Sequence, residues 1–445
     1  MASEGETMLA RNIESFFESL NVDESWTYEN LKKNQRTYFT HSYHRYPAKF
    51  IPQLVRRLIL EYCNEEEWVC DPLAGGGTTL IEGLLNVRRV IGVDINPIAY
   101  LICKAKTQLI DPLRLKKSSS LLFSRLEKID KENYMLGRIE NSANYERIRF
   151  WFDRKTIIEL SWILSAIGDF EEDLQLFFKC GFSHILKNCS RWHMNCIKPR
   201  RDKLKKITDP ISVFKKHIEH MKKKNDAFYN SVPSKMKENY SEYVKVYCGD
   251  CREIPSKDNE VSLIVTSPPY ITSYEYINLH QLSLLWLYPE LDFKEIKENL
   301  IGVEHNKRIL TEKLSSSIGN KIVRRLIEEN GINGHAKSVL TYFSEMEEVI
   351  KEFWRVIKTG GIACIVIGNA RMHNVRILNA EVLTEIALNK GFELKKVIKR
   401  RIPTSGKFLP TLRDPKTGRF ISNISNKSCK RRIYPSEYIL VLQKS

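Results

Sequence analysis

Trp68-Val69-Cys70-Asp71-Pro72-Leu73-Ala74-Gly75-Gly76-Gly77-Thr78-Thr79-Leu80-Ile81-Glu82-Gly83, followed by Arg89-Val90-Ile91-Gly92-Val93-Asp94, reads as strand, glycine loop, helix, strand and acidic end. The glycines let the backbone approach a ligand closely and adopt positive φ, and a helix beginning near Thr78 aims its N-terminal dipole at whatever sits in the loop. Asp94, 17 residues beyond the last of these glycines, is placed to accept from two ribose hydroxyls. The loop lacks G-x-G-x-x-G, and no Lys-Ser/Thr follows it, so pyrophosphate and triphosphate readings lose ground.

A second stretch completes the outline. Glu260-Val261-Ser262-Leu263-Ile264-Val265-Thr266-Ser267-Pro268-Pro269-Tyr270 is a buried strand that ends at two prolines, which cannot donate to a sheet ladder and which fix φ. The last carbonyls then turn outward. Ser267 Oγ and the Pro268 carbonyl can each accept from an exocyclic amino group, while the Tyr270 ring offers a flat face to a nucleobase. Such a pocket suits an amine nucleophile on a base.

Thr266-Ser267-Pro268-Pro269-Tyr270 resembles the catalytic motif, Asp/Asn/Ser-Pro-Pro-Tyr/Phe, of the S-adenosylmethionine-dependent DNA amino-methyltransferases, and its serine resembles the cytosine-N4 branch. The glycine loop resembles the Asp-Pro-Phe-x-Gly-x-Gly-Thr-Thr segment that holds methionine and adenosine in those enzymes, with Leu73 where Phe is usual. His44-Arg45-Tyr46-Pro47-Ala48-Lys49-Phe50-Ile51-Pro52 precedes an amphipathic run with Leu54, Leu58 and Ile59 at helical spacing, and it resembles the segment that packs over the methionine end of the cofactor. Val244-Lys245-Val246-Tyr247-Cys248-Gly249-Asp250-Cys251-Arg252 resembles the strand whose terminal acid bonds the adenine amino group.

The resemblance implies an α/β fold with a Rossmann-like seven-stranded methyltransferase sheet, and S-adenosylmethionine as cofactor. It implies cofactor contacts from Tyr46, Lys49, Phe50, Asp71, Ala74, Gly75, Gly77, Thr78, Asp94 and Asp250, and catalysis by Ser267, Pro268, Pro269 and Tyr270. The implied reaction is methyl transfer to the exocyclic N4 of cytosine in double-stranded DNA, in a restriction-modification setting with a cognate restriction endonuclease as partner. The target base must then be flipped out of the stack. Adenine-N6 methylation, methylation of RNA bases or of protein glutamine, and a non-catalytic DNA-binding protein are the alternatives. Intact loop glycines and pocket acceptors weigh against the last.

Among 445 residues, 71 Lys and Arg against 54 Asp and Glu give a formal charge of +17, which points to a polyanionic partner. From Lys187 to Lys224, thirteen basic residues face three acidic ones, with Trp192 and Phe214 interleaved. That excess is expected to contact phosphate, with Arg191, Lys198, Arg200, Arg201 and Lys203 as the DNA-binding candidates. A second cluster, between Arg401 and Arg432, adds Arg413 and Arg419. Two separated patches suit the two sides of a duplex.

No run of eighteen apolar residues occurs, and the first residues lack the basic-then-apolar order of a signal peptide, so a cytoplasmic, DNA-associated protein without membrane contact is expected. Ten cysteines lack the spacing of a disulfide framework and are expected as reduced thiols. Cys180, His184, Cys189, His193 and Cys196 include two i, i+4 pairs of a kind that binds metal. The surrounding Leu174, Phe177, Phe178, Phe182 and Ile185 read as a buried helix instead, and no metal is expected.

Along the chain, residues 1–40 read as a lead helix and linker, 41–106 as the cofactor half, 107–240 as a mainly helical basic insertion and possible target-recognition region, and 241–445 as the catalytic half. In the family an insertion commonly follows the Gly-Asp strand; here it precedes it. Residues 222–240 read as an exposed helix or linker, and 293–337 as a polar lid or DNA-contacting excursion or, equally, a plain surface insertion. A helix through Met346, Ile350, Phe353 and Val356 is expected to end at Gly360-Gly361, before the strand Ile362–Ile367. Phe392–Val397 and Glu437–Leu442 are expected to close the sheet as an antiparallel pair.

Overall fold

In the computed structural model, residues 4–32, 34–47, 49–129, 136, 139–196, 198–271, 276–302, 313–330, 334–372, 374–402, 409–410, 430–431 and 436–445 are described. Runs rich in Val, Ile and aromatic residues form seven strands: β1 (Trp68–Asp71), β2 (Arg89–Asp94), β3 (Val244–Cys248), β4 (Val261–Thr266), β5 (Ile357–Ile367), β6 (Phe392–Arg401) and β7 (Ser436–Lys444). They lie side by side in the order β3-β2-β1-β4-β5-β7-β6. The first five are parallel, and β7 runs antiparallel to both β5 and β6. This is the Rossmann-like α/β sheet anticipated from the sequence, including its antiparallel closing pair.

Helices cover both faces, so β4 is buried along its whole length. α1 (Glu4–Ser19) leads the chain, and α2 (Pro52–Tyr62) starts with Pro at its first position and buries Leu54, Val55, Leu58 and Ile59 in one cluster with Val69, Leu263 and Val265. α3 (Thr78–Leu85) and α4 (Pro97–Thr107) follow β1 and β2. Asn96 caps α4 by accepting from Ile98 N at 3.0 Å.

Between α4 and β3 come α5 (Pro112–Leu126), α6 (Tyr145–Trp151), α7 (Arg154–Gly168), α8 (Glu172–Cys189), α9 (Pro210–Ser231), α10 (Ser234–Glu238) and α11 (Tyr240–Tyr243). Their buried Leu160, Ile163, Phe177, Phe178, Phe214 and Ile218 share one core with Ile98 and Ile102 of α4 and with Ile277, Leu284 and Trp286 of α12 (Tyr276–Leu287). The helix after the Ser-Pro-Pro-Tyr segment is thus packed directly on the insertion. α13 (Phe293–Asn299), α14 (Ser317–Asn330), α15 (Gly334–Val356) and α16 (Asn379–Lys390) complete the set.

Four expectations change. The polar excursion contains α14, whose Ile318, Ile322 and Leu326 are buried in the main core, while Glu385 accepts from Ser317 N and Ile318 N at its start. Ile318, Ile322, Val323, Leu326 and Ile327 recur at helical spacing, a period that the polar composition of the wider 293–337 stretch overshadowed. α15 ends at Val356, and Gly360-Gly361 lie inside β5, where Gly360 takes φ +77° and the pairing with β4 shifts register. Phe228, Val232 and Met236 of the supposed exposed linker pack on Val244 and Val246 of β3. The lead segment is stitched to the sheet: Val22 bridges Lys399, and Arg400 Nη1 donates to Trp26 O at 2.7 Å. No described helix is long and apolar enough to cross a membrane.

Candidate active site

Strand order reverses between β1 and β4, the place where an open α/β sheet leaves a crevice at its carboxyl ends. Asp71 closes β1 there and binds the two sequence motifs together. Its Oδ2 accepts from Thr79 Oγ1 at 2.8 Å, and its Oδ1 from Thr266 Oγ1 at 2.8 Å and Leu73 N at 3.2 Å. Burial pushes its carboxyl up to about 6 against these donors. Asp71 is a brace between the glycine loop and the Ser-Pro-Pro-Tyr segment, with both carboxylate oxygens engaged inside the protein.

The loop itself takes the conformation that only glycine adopts freely: Gly75 has φ +47° and Gly77, the cap of α3, has φ +71°. The Tyr46 ring lies flat along it, so a Cβ on Gly75 would meet the ring at 3.1 Å and one on Gly76 would meet Tyr46 Cβ at 3.2 Å and Lys49 Cβ at 3.6 Å. Ala74 is buried and donates to Val93 O at 2.9 Å, and Thr78 is buried at the start of α3. Lys49 Nζ donates to His41 O at 3.0 Å, and burial lowers its pKa. Phe50 is half-buried against the cluster that contains Leu54 and Val55 of α2.

Asp94 ends β2 beside this loop. Its Oδ2 accepts from Gly75 N at 2.8 Å and its Oδ1 from Asn96 N at 2.9 Å, and burial pushes the carboxyl up to about 6. Each carboxylate oxygen has a second lone pair left for a hydroxyl donor. Asn96 Nδ2, in a side chain only 2% exposed, has no hydrogen-bond partner. An orphaned buried donor next to an acid with spare acceptor capacity, beside a loop a Cβ would fill, fits a ribose- and base-bearing cofactor. Asn96 carried no sequence signal beyond its helix-cap position.

Asp250 follows β3, whose Cys248 pairs with Asp94, and Gly249 N donates to Asp94 O at 3.1 Å. That places the Gly-Asp segment beside Asp94 at the carboxyl ends of the strands. The Asp250 carboxylate, however, grips Arg252, with Nε at 2.9 Å from Oδ1 and Nη2 at 2.5 Å from Oδ2. Arg252 also reaches Glu345 Oε1 at 3.1 Å. That fork holds the carboxylate in one orientation.

Ser267, Pro268, Pro269 and Tyr270 follow β4 outside the sheet ladder. Pro268 is buried, and Ser267 and Tyr270 are half-buried. Tyr270 OH donates to Glu437 Oε2 at 3.1 Å, and Glu437 is in turn held by Arg400 Nε at 2.7 Å. The Tyr270 ring lies close over Gly368 at the end of β5, where a Cβ would meet it at 3.3 Å. The ring is consequently fixed along one edge.

Two features escaped the sequence reading. Lys106 of α4 is fully buried with Nζ donating to Gly76 O at 2.7 Å, and burial lowers its pKa to about 7. A column of rings, His217, His184, His44, His280 and Tyr46, runs from α9 to the glycine loop, with His184 stacked on His217 at 3.8 Å and His280 against Tyr46 at 5.0 Å. Burial lowers the pKa of all four histidines. Among the described residues, no group of three or more His, Cys, Asp or Glu could hold a metal ion; Cys180 and Cys189 are buried in helix α8.

The basic run divides into two populations. Arg191 Nη1 donates to Lys203 O and Lys205 O, both at 3.0 Å, and Lys205 Nζ donates to Ser190 O at 2.7 Å and Trp192 O at 2.9 Å. Those two cations hold the loop after α8 together, so Arg191 has a structural post that the sequence did not suggest. Trp192 and Phe214 are buried, hence unavailable for stacking. Lys198, Arg200, Arg201, Lys203 and Lys206 are exposed. Arg413 and Arg419 lie outside the described residues.

Comparison with known proteins adds the following. A family model described as DNA methylase matches residues 10–104 and 261–445. The Type II methyltransferase M.MvaI of Kocuria varians is 29% identical over 429 residues, covering 91% of each chain. The Type II methyltransferase M.AvaI of Nostoc is 24% identical over 415 residues, covering 83% of this chain and 81% of its own. A solved chain described as a putative DNA modification methylase from Thermus thermophilus, in complex with S-adenosyl-L-methionine, matches 44% of this chain and 51% of its own at 18% identity. Its TM-score of 0.20 is too low to bear on the site.

Proposed function

The chain belongs to the DNA methylase family whose model it matches, and on that premise we propose that it transfers a methyl group from S-adenosylmethionine to the exocyclic N4 of cytosine in double-stranded DNA. The observation that carries the reading is the junction at Asp71, which ties the glycine loop through Thr79 and the Ser-Pro-Pro-Tyr segment through Thr266 into one site. Ser267, in the first position of that segment, resembles the cytosine-N4 branch, and that resemblance is what supports cytosine over adenine. The cofactor, when bound, supplies an electrophilic methyl group on a sulfonium.

Asp94 would accept from the ribose hydroxyls, Tyr46 would cover the loop that holds the methionine end, and Asp250 and Asn96 would face the adenine. Ser267 Oγ and the Pro268 carbonyl would take the two hydrogens of the target amine, drawing density back onto a nitrogen whose lone pair is otherwise delocalised into the ring. Tyr270, fixed by Glu437, would stack on the flipped base. A serine hydroxyl is too weak a base to take the departing proton, which leaves to water. Residues 107–240 would read the target sequence, and the relatives' Type II designation supports a restriction-modification setting in the bacterial cytoplasm with a cognate endonuclease.

Sequencing the modified bases in DNA from cells that express the protein tests this reading. A methylated cytosine within a short fixed sequence is expected. Unmodified DNA in cells that contain the folded protein would overturn it.

A further inference from the structure

The loop after α8 carries a feature that phosphate binding does not explain. Leu204 is 96% exposed, more than any other large hydrophobic residue among those described, and Met194 at 38% and Phe150 at 48% flank the same loop. A leucine held in water on a flexible turn would be unremarkable. This turn is fixed: Leu204 N donates to Asp202 Oδ1 at 3.0 Å, Asp202 N to Arg191 O at 2.7 Å, and the neighbouring Lys205 anchors its ammonium on the carbonyls that end α8. Trp192 pairs with Arg201 across the loop, and Trp192 stacks on Trp151 at 5.4 Å. The leucine side chain is therefore presented outward by a rigid base.

Its surroundings select the partner. Lys198, Arg200, Arg201, Lys203 and Lys206, all within six residues of it in the chain, are exposed, with Arg201 over the Phe150 ring at 4.5 Å, while an apolar protein surface would be poorly matched to five cations. Apolar side chains ringed by Lys and Arg are what proteins insert between base steps of a duplex whose backbone the cations hold. The helix that leads into the loop borders the site. Arg45 Nη1 lies 3.5 Å from Asn188 Oδ1 on the last turn of α8, and Arg45 directly precedes the Tyr46 that covers the glycine loop. On the other side, Trp286 of α12 packs edge-on against Phe152 and Phe182, at 5.5 and 5.9 Å.

We propose that the Lys198–Lys206 segment is a DNA-penetrating element and that Leu204 is the wedge that enters the base stack, helping to expel the target base toward Tyr270. The assignment rests on the reading above that the substrate is duplex DNA. Leu204 is a positioning residue: it touches neither cofactor nor reacting nitrogen, and it acts by filling the space the target leaves.

The test uses the full-length protein with two oligonucleotide duplexes carrying the mapped target sequence, one fully paired and one with the target base mispaired, so that it is already unstacked. Leu204→Ala and Leu204→Ser keep the fold because the side chain packs on nothing. Single-turnover transfer to the paired duplex is expected to fall roughly 10- to 100-fold. On the mispaired duplex the rate should stay within about threefold of wild type, and the salt dependence of affinity should not move because the cations remain. Leu204→Met should restore the paired rate. Equal rates for wild type and Leu204→Ala on the paired duplex overturn the proposal, as do equal losses on both duplexes or a wild-type dimer that Leu204→Ala dissociates. Wild-type protein inactive on both duplexes instead overturns the parent reading of function.

Discussion

At the carboxyl end of the sheet, the carboxylates of Asp71, Asp94 and Asp250 all have internal donors, from threonine hydroxyls, loop N–H groups and the Arg252 guanidinium respectively. Among the described residues between Ser190 and Lys206, Arg191 and Lys205 are held this way, Arg201 lies over the half-exposed Phe150 ring at 4.5 Å, and the remaining cations are exposed. The first region is built as a fixed acceptor array, the second as a rigid frame around charges turned to solvent. Substitutions in the first should change rates and cofactor affinity at any salt. Substitutions in the second should divide by whether the side chain holds the frame or faces outward.

The largest effect is expected at Tyr270, where Tyr270→Ala removes a stacking face worth roughly 1 to 3 kcal/mol and most of the transfer activity with it. Ser267→Ala should slow transfer by a smaller factor. Cofactor titration by calorimetry should give the wild-type affinity for both, and full activity in both would make the segment a mere turn. Next comes Asp94→Ala, which should weaken S-adenosylmethionine by roughly 1 to 3 kcal/mol through loss of charge-assisted bonds. An unchanged titration removes Asp94 from the site.

The same residue sharpens the comparison through pH. Burial raises the Asp94 carboxyl to about 6, so it contributes stability to the empty protein below its unfolded pKa and loses that contribution as pH rises through about 6. Cofactor binding needs the ionised form and has the opposite sign. Affinity should be level above about pH 7 and fall by up to roughly tenfold per unit below about pH 6, and Asp94→Asn should flatten that dependence. A wild-type affinity independent of pH between about 5 and 7 would count against the role.

In the basic loop, Lys205→Ala should destabilise the frame by about 1 to 3 kcal/mol, seen as a lower Tm, because three carbonyls lose a charged donor. Arg200→Ala with Arg201→Ala should lower Tm far less, losing no more than the contact of Arg201 with the exposed Phe150 ring, and reduce the log-log salt slope of DNA binding by up to about two. An equal Tm loss in the second pair, or none in the first, would erase the distinction between the two populations.

The strand-loop-helix at Trp68–Leu85 and the Ser-Pro-Pro-Tyr turn were legible because each is a local pattern whose chemistry sits within a few residues. The burial of the Ile318, Ile322 and Leu326 stripe of α14 was not: the period is present in the residues, but the core it packs on, with α15 and α16, is distant in sequence. The division between Arg191 and Arg200 was also invisible: both are arginines in one run, and what separates them is a pair of carbonyls twelve and fourteen residues away from Arg191. Lys106 and Asn96 looked like ordinary helix residues for the same reason, because their meaning lies in a glycine loop and an acid brought close by the sheet.

The central claim is that the Asp71-braced crevice methylates an amino nitrogen of a DNA base. Duplex DNA incubated with the purified protein and isotopically labelled S-adenosylmethionine, then digested to nucleosides for mass spectrometry, tests it most directly. The account predicts label in N4-methylcytosine. N6-methyladenine would move the target base but keep the amine chemistry, whereas label in 5-methylcytosine, which requires a thiol nucleophile adding to the ring, or in no base at all, would contradict the account.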